Sequence, residues 1–264
     1  MIKAILSDAD GTLVDTVNLI RHGQYEAAIT YLSKQGIPKE KIPSYETYEH
    51  LLNQTIGGSA RHTLEQTIRA LYKSTPQNLE NLDFDDLHES LNPIQDLLAP
   101  SYVKAYAGLA ELLTTLGSKG TKFAIFTSGT AHHVVRNFGI ALPELGIRDL
   151  YMDPSKNDSE KILTLTKAMQ EVFGIPQVTI VTADDIVDHK PHPASLYLAM
   201  KRLGVTNQEA LVVGDHAVDM QAAVNADIPV RIGVSHGFTD AATLKANGAT
   251  DVIDTLTELI AYLK

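Results

Sequence analysis

The chain has 264 residues, a formal net charge of -10, 44% hydrophobic residues, 17 glycines, 11 prolines and no cysteine. That length and apolar share suit one large domain or a core with a satellite, and the ordinary glycine and proline content excludes a collagen-like or disordered chain. The acid excess argues against a nucleic-acid partner, and the missing thiol excludes disulfides, thiolate catalysis and cysteine-ligated zinc or iron–sulfur sites.

No segment approaches 18 continuous apolar residues, and the N-terminus lacks a basic stretch followed by an apolar one. The expectation is a soluble cytoplasmic protein with no membrane partner. The first predicted strand is Ile2-Lys3-Ala4-Ile5-Leu6-Ser7, and it delivers Asp8-Ala9-Asp10-Gly11-Thr12 into a loop. Two carboxylates at a strand end can share a cation, or divide a reaction between a nucleophile and a proton carrier. A turn rich in Asp and Gly is the plain alternative.

After Asp15 the pattern turns helical. Tyr25, Ala28, Ile29 and Leu32 form one stripe, a second helix is predicted from about Tyr45 to Ile56, and a third starts near Ser59 with Leu64, Ile68 and Leu71 at helical spacing. No convincing strand interrupts residues 16 to 95. This reads as an all-helical block, residues 16–99, inserted into an α/β core made of residues 1–15 and 100–264. Such a block can swing as a lid, or pack rigidly.

Beyond it, strands are predicted at Lys122–Phe126, Val178–Val181 and Leu211–Val213, with weaker ones at Pro229–Ile232 and Asp251–Ile253. Helices fall between most of them. Leu109, Leu112, Leu113 and Leu116 share a face, and so do Leu256, Leu259, Ile260 and Leu263 behind a Thr255-x-x-Glu258 capping box. Alternation of this kind predicts a Rossmann-like, mostly parallel sheet with helices on both faces.

Three of these strand ends and loops carry polar groups. Phe126-Thr127-Ser128-Gly129-Thr130 offers a hydroxyl and backbone N–H groups to an anion. His189-Lys190-Pro191-His192-Pro193 holds a lysine out of helical geometry, so that its ammonium can face a phosphate oxygen or simply solvent. Leu211-Val212-Val213-Gly214-Asp215-His216-Ala217-Val218-Asp219 delivers an aspartate, with a second acid four residues on. Asp8, Asp10 and Asp215 would repel one another and a phosphate unless a hard cation such as Mg²⁺ and Lys190 joined them. The set describes a carboxylate attacking phosphorus, with the charge held by Mg²⁺, Lys190, Thr127 and loop amides.

These four ordered segments resemble those of the haloacid dehalogenase superfamily, in its phosphatase branch, and most of all phosphoglycolate phosphatases. The resemblance implies Asp8 as nucleophile and Asp10 as acid and then base. It implies Mg²⁺ held by Asp8, the backbone carbonyl of Asp10 and Asp215, with Asp219 in support. Thr127, Lys190, Ser128, Gly129 and Thr12 would hold the phosphoryl group of a small phosphomonoester. The helical block resembles the family's cap, and Thr55-Ile56-Gly57-Gly58-Ser59-Ala60-Arg61 its substrate loop, which puts Gly58 and Arg61 near the leaving group. A phosphomutase of the β-phosphoglucomutase type, or a silent phosphate-binding protein, shares the same motifs. The oligomeric state stays open.

Two features depart from the pattern. His216 stands where a small hydroxyl residue is usual, and residues 140 to 176 are long. They include an added helix from about Ser159 to Phe173 with an expected apolar face of Ile162, Leu165, Met169 and Val172.

Overall fold

The computed structural model describes residues 1–55, 60–72 and 84–263. Eight strands are present among them: β1 Ala4–Ser7, β2 Val14–Asp15, β3 Lys104–Ala105, β4 Lys122–Phe126, β5 Val178–Val181, β6 Ala210–Gly214, β7 Val230–Val234 and β8 Asp251–Ile253. Six of them form one sheet in the order β5-β4-β1-β6-β7-β8, and every pairing in it is parallel. All four residues of β1 are buried. A central parallel strand is covered on both faces, so it reads as a continuous apolar run rather than an alternating one. β2 and β3 form a separate two-stranded antiparallel ribbon.

The chain divides into two compact units, residues 17–102 and the remainder, residues 1–16 with 103–264. The first is all helix: α1 Val17–Lys34, α2 Tyr45–Thr55, α3 Ala60–Tyr72 and α4 Phe84–Tyr102. Its own core gathers Ala28, Leu32, Tyr48, Leu52, Leu64, Ile68, Leu87 and Leu91. α4 continues through Pro93 and Pro100 and buries Leu87, Leu91, Gln95 and Ala99, one residue from each successive turn.

The second unit adds α5 Leu109–Lys119, α6 Ala131–Ala141, α7 Asp158–Phe173, α8 Ala194–Leu203, α9 Ala217–Asn225 and α10 Ala241–Ala246. Leu196, Ala199, Leu203, Met220, Ala223 and Leu244 from these helices pack with Leu6, Ala124, Phe126 and Val212 of the sheet. Leu109, Leu112, Leu113 and Leu116 of α5 are all buried, as their spacing predicts.

Two elements differ from expectation. α7 buries Lys161, Leu165, Met169 and Phe173, a stripe at every fourth residue, and leaves Val172 45% exposed. Lys161 earns its inward place by donating from Nζ to the Tyr151 carbonyl at 2.9 Å. The segment Leu256–Tyr262 is a 3₁₀ helix with Leu256 and Leu259 buried. At three residues per turn those two leucines stack directly.

No described helix is long and apolar enough to cross a membrane.

Candidate active site

The sheet register brings the polar motifs level. Ser7 pairs with Ile125 on one side and with Val213 on the other. Asp8 therefore leaves β1 beside the last residues of β4 and β6, and Thr127 and Asp215 follow immediately. Asp8 N–H still donates to the Val213 carbonyl at 2.9 Å, and Thr127 N–H to the Val181 carbonyl at 3.0 Å. Reacting groups in open α/β sheets collect at these carboxyl ends.

Asp8, Asp215 and Asp219 are buried, and one carboxylate oxygen from each lies within 4.8 Å of the others. Lys190 enters the same cluster. Its Nζ stands 2.5 Å from Asp8 Oδ1 and 2.8 Å from Asp219 Oδ1. It also lies 4.2 Å from the centroid of the Phe126 ring, whose face attracts a cation. Burial disfavours the charged ammonium, but Asp219 and Asp8 outweigh it and raise its pKa.

Burial pushes the Asp8 carboxyl well above the usual carboxylate range; Lys190 opposes that shift, and Asp219 and Asp215 add to it. Asp215 is pushed up to about 7, first by burial and then by Asp219. Three buried carboxylates thus share one buried ammonium. That surplus of hard oxygen and negative charge is the donor set that suits Mg²⁺.

Asp215 is held on both oxygens. Thr12 Oγ1 donates to Oδ1 at 2.7 Å and the Phe238 N–H to Oδ2 at 2.8 Å. The Thr12 hydroxyl, expected on the substrate, is thus directed at Asp215. Glycine at 237 makes this approach possible, because a methyl there would stand 2.2 Å from Asp215 Oδ2. Asp219 occupies the first turn of α9, where its Oδ2 accepts from the His216 N–H at 3.0 Å. His216 caps that helix, and its ring is buried enough to lower its pKa.

Asp10 has different neighbours. Its Oδ1 accepts from Asn137 Nδ2 at 2.8 Å. Burial raises its pKa, against the pull of Thr16, Arg136, Asn137 and Lys190. Its carboxylate is not in the cluster of three. Thr127 is buried, with its hydroxyl accepting from the Gly129 N–H at 3.0 Å, while Ser128 and Gly129 are partly exposed beside it.

In the helical unit Arg61 is exposed and paired with Asp85. Gly58 lies outside the described residues.

Asn137, Arg136, the Phe238 amide and Gly237 were not legible as site residues. Arg136 and Asn137 belong to no motif: they sit mid-helix in α6, where polar residues usually face solvent. The backbone N–H of Phe238 has no side-chain signature.

The sequence model of the haloacid dehalogenase-like hydrolase family matches residues 2–227. The chain belongs to that family. Among curated relatives, the phosphoglycolate phosphatase of Nitrosococcus oceani is 25% identical over 261 residues, covering 97% of this chain and 94% of its own. The pyrophosphatase PpaX of Bacillus cereus is also 25% identical, over 262 residues, covering 99% and 96%. The crystal structure of a hydrolase from Pseudomonas syringae superposes with a TM-score of 0.68 at 25% identity, covering 99% of this chain and 97% of that one. A haloacid dehalogenase-like hydrolase is thus an enzyme by family, and the Asp8, Asp215 and Asp219 cluster is consistent with a divalent metal and an aspartate nucleophile.

Proposed function

We propose that this chain hydrolyses a small phosphomonoester in two steps through an aspartyl-phosphate on Asp8, with Mg²⁺ as its cofactor. The observation that carries the reading is the division of labour between two carboxylates two residues apart. Asp8 is tied to Lys190, whose ammonium opposes the rise that burial imposes and so favours the ionised, nucleophilic form. Asp10 stands outside that ion pair and is tied instead to the neutral amide of Asn137, which suits a group that must hold and release a proton.

In the first step an Asp8 oxygen bonds to phosphorus while the ester P–O bond breaks, and Asp10 gives its proton to the departing oxygen. In the second, water attacks phosphorus and Asp10 takes the water's proton, which frees Asp8 and phosphate. Thr127, the Ser128 and Gly129 amides and Lys190 bind the phosphoryl oxygens. Asp8, the Asp10 carbonyl and Asp215 would hold Mg²⁺, and Asp219 would fix Lys190 and support the site. Bound there, Mg²⁺ supplies charge neutralisation on the transferring group.

Phosphoglycolate and sugar phosphates are the substrates we place first. The phosphoglycolate phosphatase relatives support that choice. The equally similar pyrophosphatase adds pyrophosphate to the same screen. Gly58 and Arg61 are the positions proposed for selecting the leaving group. The test is phosphate release from a panel of phosphomonoesters and pyrophosphate, with Mg²⁺ and after chelation. Release from none of them, or release unaffected by chelation, overturns the reading. An isomerised sugar phosphate in place of free phosphate would instead identify a mutase.

A further inference from the structure

Arg136 is 1% exposed and is the bulkiest fully buried side chain among the described residues. Its Nε donates to Asn137 Oδ1 at 3.0 Å, and Asn137 Nδ2 donates to Asp10 Oδ1 at 2.8 Å. A guanidinium has donors and no acceptor, so the amide atom it meets must be the oxygen. The amide NH₂ is therefore turned toward Asp10 and cannot exchange places with the oxygen. Asp10 Oδ1 is thereby committed as an acceptor.

The other oxygen, Oδ2, lies toward the loop after β4. A methyl on residue 129 would stand 3.4 Å from Asp10 Oδ2 and 3.4 Å from Thr127 Oγ1.

We propose that Asn137, oriented by Arg136, is a positioning residue that reserves Oδ2 of Asp10 for proton transfer. The inference rests on the phosphatase reading above. The proton on Oδ2 passes to the ester oxygen as its bond to phosphorus breaks, and Oδ1 keeps the Asn137 hydrogen bond throughout. In the second step a water proton returns to Oδ2 as the water oxygen bonds to phosphorus and the bond from phosphorus to the Asp8 oxygen breaks. An unheld Asn137 could turn its oxygen to Asp10, accept a hydrogen bond from the carboxyl proton and hold that proton away from the ester oxygen. Arg136 blocks that arrangement.

The test separates proton donation from general damage. Phenol release is followed in single turnover, with enzyme in excess and Mg²⁺ present, from phenyl phosphate and from 4-nitrophenyl phosphate. Nitrophenolate departs readily without a proton, whereas phenolate needs one. Asn137→Leu and Asn137→Ser are expected to slow release from phenyl phosphate by about 10- to 100-fold, and from 4-nitrophenyl phosphate by less than about threefold. Circular dichroism checks both for folding, and the Ser variant decides the matter if the Leu variant does not fold. Equal slowing of both substrates overturns the inference. Asp10→Asn is run alongside. If it shows the selective loss and the Asn137 variants do not, the inference fails while the phosphatase reading stands. If Asp10→Asn itself slows both substrates equally, the acid role of Asp10 fails first.

Discussion

Lys190 Nζ lies 2.8 Å from Asp219 Oδ1, and the two side chains are only 4% and 2% exposed. Asp219 therefore steadies the lysine that also meets Asp8, and one ammonium compensates two carboxylates. Removing a partner from a buried pair leaves an uncompensated charge, which typically costs about 3–5 kcal/mol. Lys190→Met is expected to lose stability of that order in urea denaturation of chelated protein, and to lose phosphate release as well. Unchanged stability would mean that the cluster is neutralised by some other group.

Asp8→Asn is expected to lower phosphate release by more than about a thousandfold, since an amide is a very poor nucleophile toward phosphorus. Thermal unfolding should hold level or rise, because the substitution removes one of three crowded buried charges. Near-normal turnover in steady-state assay would remove Asp8 from its proposed role.

The acid cluster makes a prediction about pH. Asp215 is raised from 3.8 to about 7, so the folded chain keeps a proton there that the unfolded chain has already released. Its contribution to stability is fully present below 3.8 and is lost as pH rises through about 7, a change on the order of a few kcal/mol. In chelator, the Tm of the wild type should fall relative to that of Asp215→Asn between pH 4 and pH 8. Mg²⁺ should raise the wild-type Tm much more at pH 8 than at pH 5. A difference between the two proteins that stays flat with pH would contradict the burial argument.

Gly237→Ala would place a methyl 2.2 Å from Asp215 Oδ2 and displace the carboxylate or the turn that carries the Phe238 amide. Groups that orient a metal ligand usually matter by about 10- to 100-fold in affinity. Titration calorimetry should show Mg²⁺ binding weakened by that much, with the far-ultraviolet circular dichroism unchanged. Wild-type affinity would assign Gly237 to the turn alone.

Much of the core unit was legible because each strand carried its own evidence. The runs at Ile2–Ser7, Lys122–Phe126 and Leu211–Val213 are apolar, and each ends on an oxygen-bearing side chain within two residues. α4 was harder to read, since Pro93 and Pro100 interrupt the helical pattern; packing of Leu87, Leu91 and Ala99 holds the helix together through both. On α7 the apolar pattern pointed to Val172, but the stripe that meets the core includes Lys161, whose buried hydrogen bond no hydropathy pattern signals. Asn137 and Phe238 become site residues only through tertiary approach, so nothing near them in sequence marks them.

The placement of β1 also has a consequence during synthesis. It lies between β4 and β6 and leads directly into Asp8, yet it is made first. The Thr12 and Asp215 partners are separated by 203 positions. At ribosomal speeds of about 5–20 residues per second, the first strand waits roughly 10–40 s for its second neighbour. The helical unit, complete in sequence by residue 102, has all its own core residues in hand long before that. A nascent chain would therefore carry the whole helical sequence and a first strand with one edge still open, an apolar edge exposed to whatever it meets until β6 emerges.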